Sequence, residues 1–178
     1  MSQLSDETAW MMPEEAFEWI ENNIPFGSKV LEFGSGKGSE RLAVNYTLFS
    51  VEHNPEWINK YNSNYIYAPI KLYEQDSQKK GLGWYEIEAI KNNLHENNFA
   101  LIIIDGPPAS IGREGIMDHL WILDKSEYIL IDDLQREKEF ELSQMLSKEC
   151  HLKCLHFSKN NDEQAERHFG VFVREQHV

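Results

Sequence analysis

The chain has 178 residues, 41% of them hydrophobic and 12% aromatic, with a formal net charge of -13; this suits one globular domain, 1–178, with an ordinary core, and excludes a disordered chain. No apolar run reaches the roughly 18 residues of a membrane span, and no basic region followed by an apolar stretch opens the sequence, so neither a membrane partner nor a signal peptide is expected. Lys and Arg cluster only in short pairs such as Lys79-Lys80, and because phosphate contacts need such clusters, no nucleic acid is expected as a partner.

An N-terminal helical segment, 1–27, comes first. Pro13, Glu14 and Glu15 read as a helix start, since proline suits the first helical position and acids suit the first turn. Ala16, Phe17, Ile20 and Ile24 follow at helical spacing, and Pro25-Phe26-Gly27 ends the helix. Residues 29–33 read as a strand, 40–45 as a short helix, 48–52 as a second strand, 55–61 as a helix opening and 65–70 as a third strand. The polar run KLYEQDSQKKGLG reads as a loop. It leads, with Trp84-Tyr85 at the helix start, into a helix carrying Ile87, Ile90 and Leu94 on one face. The run FALIII, 99–104, is continuously apolar, as in a central parallel strand covered on both sides. A helix over 116–123, a strand over 128–131, a helix over 135–146 and strands over 152–157 and 169–174 complete the chain. This alternation predicts an α/β fold: a Rossmann-like, doubly wound, mostly parallel sheet of about seven strands with helices on both faces. Cys150 and Cys154 lie too close along the chain for a good disulfide, which fits a reduced, cytoplasmic protein.

The segment VLEFGSGKGSERLA places Gly34, Gly36 and Gly38 directly after the first strand. In doubly wound sheets ligands sit at the carboxyl ends of strands. Glycine permits a sharp turn and close approach of a ligand, and the helix start near Ser39 offers free N–H groups. The spacing is not the dinucleotide fingerprint, whose third glycine would stand at Ser39, and no G-K-[ST] triplet marks a phosphate loop. What remains is E-x-G-x-G-x-G, followed by a second strand that ends in Glu52 and His53.

This pattern resembles motif I of the class I S-adenosylmethionine (SAM)-dependent methyltransferases. With SVEHNPEW, APIKL, GWYEIEAI, LIIIDGPPASIGREG and ILIDDLQRE in that order, the chain from about 12 to 173 resembles a bacterial group related to glycan methyltransferases, including those of plant glucuronoxylan. The resemblance implies SAM as cofactor, held by Glu32, Gly34, Ser35, Gly36, Gly38, Ser39, Glu52, His53 and Asp105, with the Glu52 carboxylate accepting from the ribose hydroxyls.

Methyl transfer to a hydroxyl needs alignment and removal of a proton, by a base or with a metal ion. Asp105 ends the central strand and is the expected catalytic base. Together with Asp132 and Asp133, at the end of the next strand, it resembles the metal triad of catechol-type O-methyltransferases, implying Mg²⁺ or another divalent cation, which prefers carboxylate oxygens. The competing reading makes Asp132-Asp133 a cap for the helix near Gln135. Arg113, Arg136 and Tyr85 are candidates for binding the acceptor, a small molecule or sugar. D-G-P-P lacks the aromatic of the D-P-P-Y motif of amino methyltransferases, so a hydroxyl acceptor is expected. The alternatives are a catalytically silent SAM-binding module and an NAD-dependent dehydrogenase. The Trp10–Met12 stretch reads as part of the acceptor site or as a homodimer contact.

Overall fold

Most of the sheet forms where the sequence offers apolar side chains to two faces at once. The computed structural model describes residues 11–75, 78–158 and 167–175. Its strands are β1 (Lys29–Phe33), β2 (Thr47–Glu52), β3 (Asn64–Tyr67), β4 (Ile70–Leu72), β5 (Gly83–Tyr85), β6 (Phe99–Ile104), β7 (Ser126–Ile131), β8 (Leu152–Phe157) and β9 (Gly170–Arg174). Its α-helices are α1 (Glu14–Asn23), α2 (Lys37–Asn45), α3 (Ile87–Leu94) and α4 (Glu137–Glu149).

Seven strands form one sheet in the order β3-β2-β1-β6-β7-β9-β8. The first five of these pair in parallel, and β9 runs antiparallel to both β7 and β8. Alternate residues face opposite sides. Val30, Leu101, Ile103 and Leu130 pack with Phe17 and Ile20 of α1 and Leu42 of α2. Leu31, Ile102, Ile104 and Ile129 pack with Ile90 and Leu94 of α3 and Leu142 and Leu146 of α4. Each such side chain, taken fully out of water, contributes roughly 1.5–3 kcal/mol. The expected seven-stranded, doubly wound sheet is therefore present. From β1 the chain winds outward to β2 and β3, then crosses back to β6 and on to β7. The strand order reverses between β1 and β6, and the crevice at their carboxyl ends is where such a sheet takes a ligand.

Four local expectations change. The third strand stops at Tyr67, because Pro69 has no N–H to offer a ladder. The run expected to be a plain loop is flanked by an antiparallel pair, with Ile70 opposite Tyr85 and Leu72 opposite Gly83. Trp84 and Tyr85 are thus buried strand residues rather than a helix start. The helix expected over 55–61 is one 3-10 turn, Pro55–Trp57, whose cap is the Asn54 side chain accepting from Glu56 N–H. The helix expected over 116–123 is 3-10 and breaks at His119. Among the described residues no helix is long and apolar enough to cross a membrane, and Cys150 and Cys154 are free thiols.

Candidate active site

The glycine loop leaves β1 with Gly34 at φ +89°, a backbone conformation that side chains disfavour. A Cβ there would lie 3.0 Å from the Asp105 carbonyl oxygen and 3.3 Å from Gly106 Cα. Gly34 therefore serves the contact between the loops after β1 and β6. Gly38, in the first turn of α2, serves a helix contact, since its Cβ would lie 2.9 Å from Phe17 Cζ. Two of the three glycines thus admit the protein's own atoms, which the expectation of ligand approach alone did not include.

Glu52 fixes this loop. It is 3% exposed, and its carboxylate accepts from Ser35 N–H at 2.8 Å and from His53 and Asn54 N–H at 2.7 Å each. His53 Nδ1 lies 2.9 Å from the same oxygen that the last two share. Glu52 therefore joins the end of β2 to the glycine loop, a role the ribose reading did not foresee. A chain of hydroxyls continues the bracing. Ser39 and Ser50 each donate to Glu32 Oε1 at 2.6 Å, and Ser35 Oγ lies 3.1 Å from both Ser39 Oγ and Tyr65 Oη. Burial pushes the Glu32 carboxyl up to about 7, against the two serine hydrogen bonds that favour its charged form.

The crevice between β1 and β6 is narrow, about 10 Å³, and is lined by Met12, Glu32, Gly34, Gly36, Gly38, Ser39, Ile103 and Asp105. Met12, expected in the acceptor region or a dimer contact, is buried against the α1 face and is one of the residues that line this crevice. Trp10 lies outside the described residues.

Asp105, Asp132 and Asp133 do converge, each offering an oxygen within 4.8 Å of the others. The positive charge among them comes from arginines. Arg113 is 3% exposed. Its guanidinium donates to Asp133 Oδ2 at 2.8 Å, Asp132 carbonyl oxygen at 2.9 Å, and Asp105 carbonyl oxygen and Oδ1 at 3.1 Å each. Arg136 Nη1 reaches Asp133 Oδ2 at 2.8 Å. Arg167, which nothing in the sequence singled out, reaches Asp132 Oδ2 at 3.2 Å and also donates to the Met11 carbonyl. Burial raises Asp105 to about 6, with the Arg113 charge opposing the shift. Asp133 has φ +63° and its Oδ1 accepts from Gln135 Nε2, while α4 begins only at Glu137 with Arg136 at its N-cap position. The pair Asp132-Asp133 is therefore not the cap of that helix.

A divalent cation at these residues would have to compete with the arginines. Such an ion needs several oxygens at once, and one or both oxygens of each carboxylate already accept from a guanidinium or amide. Asp132 Oδ1 is buried with no partner. Arg113 and Arg136, expected to meet an acceptor, are turned onto the acids.

No protein-family model matches the sequence, and no curated protein matches it. Solved structures do. An rRNA methylase from Streptococcus thermophilus superposes with a TM-score of 0.60 at 12% identity, over 91% of this chain and 95% of that one. A candidate methyltransferase from Streptococcus mutans in complex with SAH gives 0.58 at 13% identity, over 91% and 97%. A candidate tRNA (m1A22) methyltransferase from Streptococcus pneumoniae, in complex with S-adenosyl-L-methionine, gives 0.56 at 12% identity, over 94% and 75%. This is the Rossmann-like methyltransferase fold. The exclusion of nucleic acid drawn from net charge is corrected by these likenesses, because two of the proteins sharing the fold are named for rRNA and tRNA. Net charge sums the whole surface and does not decide what one face binds. In this methyltransferase fold, the predicted residues Glu32, Gly34, Gly36, Gly38, Ser39 and Asp105 meet at one crevice. Ser35, Glu52 and His53 form its brace, and Tyr85 is buried against Phe33 and Trp84 and does not line it.

Proposed function

We propose that the chain binds SAM between β1 and β6 and transfers its methyl group to an acceptor whose proton is taken by Asp105. The observation that carries this reading is the charge of the crevice: the ionisable groups lining it, Glu32 and Asp105, are both acids. A sulfonium cation suits that lining, whereas the pyrophosphate of a nicotinamide dinucleotide does not. When bound, SAM supplies an already activated methyl group. The protein's part is to orient the reactants and to hold the acceptor's proton. Asp105, raised to about 6, lies near neutrality, where a general base works best. It is also the member of the acid cluster that reaches the crevice. A hydroxyl of a small molecule or glycan is the acceptor supported by the resemblance to glycan methyltransferases and by the absence of the D-P-P-Y aromatic after Asp105.

Calorimetry should show binding of SAM and of its demethylated product S-adenosylhomocysteine (SAH), with no binding of NAD. A folded protein that binds neither SAM nor SAH overturns the reading. Labelled-methyl transfer to sugars, small hydroxyl compounds and RNA would identify the acceptor class. SAM binding without turnover on any of them would favour a silent binding module.

Glu32 adds a pH signature. Its carboxyl is raised from 4.5 to about 7 by burial, so the folded chain holds a proton that the unfolded chain releases. The stability this proton gives is full below the ordinary value and is lost as pH rises to about 7. Binding has the opposite slope for a cation: ionised Glu32 attracts the sulfonium of SAM, and SAH carries no such charge. The SAM-to-SAH affinity ratio should therefore rise as pH increases through about 7, and Glu32→Gln should flatten both that rise and the stability slope. Calorimetric titrations and thermal melts across this range check the two slopes.

A further inference from the structure

The crevice between β1 and β6 measures about 10 Å³, room for one water at most, whereas sites for ligands of drug size take about 300–1,000 Å³. A cofactor can enter only if part of the lining gives way. Glu32 Oε1 is held by Ser39 and Ser50 at 2.6 Å each. Ile103 is 1% exposed in β6, between β1 and β7. Gly34 and Gly38 stand against Asp105 and Phe17, and Asp105 is tied to Arg113. Met12 is held differently. Among the lining residues it is the one that precedes α1, whose N-cap is Pro13 in an extended conformation. Its side chain is unbranched and turns about three bonds. A polar contact that holds its segment comes from far along the chain: the Arg167 guanidinium donates to the Met11 carbonyl through one amino group and to Asp132 Oδ2, at 3.2 Å, through the other.

Resting on the SAM reading above, we propose that Met11 and Met12 form a latch over the cofactor crevice, with Arg167 as its clasp. The structure holds the latch shut, with Met12 buried in the apolar cluster that includes Phe17 and Ile103. Cofactor binding swings the segment out about Pro13 and releases Arg167 from the Met11 carbonyl, while Arg167 keeps Asp132 as its partner. The apparent affinity is then the affinity of the open crevice reduced by the fraction of molecules whose latch is open. Loosening the clasp therefore tightens binding. Because Arg167 stands between the latch and the acids beside Asp105, it links cofactor entry to the place of proton transfer.

The test uses Met12→Cys in a Cys154→Ser background, where the remaining natural thiol, Cys150, is buried. The rate at which the new thiol reacts with a small disulfide reagent is read with and without saturating SAH. The expected result is a rate higher by about tenfold or more with SAH, the change produced when a minor open state becomes the main one. Arg167→Gln in the same background should raise the rate without ligand and tighten SAH binding in calorimetry. A rate unchanged or lower with SAH, as for a thiol covered by the ligand, overturns the proposal, and so does weaker SAH binding by the Arg167→Gln protein. Should the thiol variant not fold, wild-type protein with labelled methionine methyls decides by NMR: the Met12 methyl must lose its proximity signal to Ile103 when SAH is added, and a retained signal overturns the latch. Wild-type protein that binds neither SAM nor SAH overturns the SAM reading instead, and calorimetry reveals this before any thiol is introduced.

Discussion

Glu52→Ala is expected to abolish SAM binding and to lower folding stability by on the order of 3 kcal/mol or more. The carboxylate accepts from three backbone N–H groups, those of Ser35, His53 and Asn54, at 2.7–2.8 Å. A hydrogen bond to a charged group contributes roughly 1.5–3 kcal/mol, and a buried donor left unmatched costs about 1–3 kcal/mol. Alanine leaves all three donors without that acceptor and frees the glycine loop from β2 in the same step. Binding should therefore fall further than the loss of a ribose contact alone would explain. Glu52→Gln keeps one oxygen and should fall between alanine and wild type in both measurements. Denaturant unfolding and calorimetry on the same samples check this. Lost binding with unchanged stability would return Glu52 to a ligand contact alone.

That double role shows where reading the sequence succeeds and where it stops. The apolar run 99–104 can satisfy its pattern only as a covered central strand, and the glycines can follow β1 only at a strand's carboxyl end. The doubly wound sheet and the location of the crevice follow from those local facts. The purposes of the glycines do not. Gly38 exists for Phe17, a residue on another helix, and no spacing rule connects the two. The arginines are less legible still. Arg113 meets Asp133 at a separation of 20 residues, and Arg167 meets Asp132 at 35. An acid-rich strand end suggests a cation by charge alone, and a metal ion and a guanidinium satisfy that suggestion equally. The short pair β4 and β5 escaped notice because it has three residues a side, too few for alternation to show.

The guanidinium account of the acid cluster makes the second large prediction. Arg113→Met should destabilise the protein by about 3–5 kcal/mol, the range for removing one partner of a buried ion pair. Methionine nearly matches the volume, so the loss is electrostatic rather than a cavity. It leaves Asp105 Oδ1 and three carbonyl oxygens, those of Asp105, Pro107 and Asp132, without their Arg113 donor, and withdraws one of the two arginines that hold Asp133 Oδ2. Lysine should rescue little, because a single ammonium cannot span the ends of β6 and β7 as the planar fork does. If repulsion among the freed acids is the cause, Asp133→Asn should recover part of the stability in the Arg113→Met background, although it destabilises the wild type. The sign of that coupling, read from denaturant unfolding of the four proteins, is the check. A metal-held cluster behaves differently: EDTA would lower the wild-type melting temperature and Mg²⁺ or Mn²⁺ would restore it. With Arg113, Arg136 and Arg167 around the three acids, neither addition is expected to move it, and a clear shift with either would place a metal ion, rather than arginine, at the centre of the site.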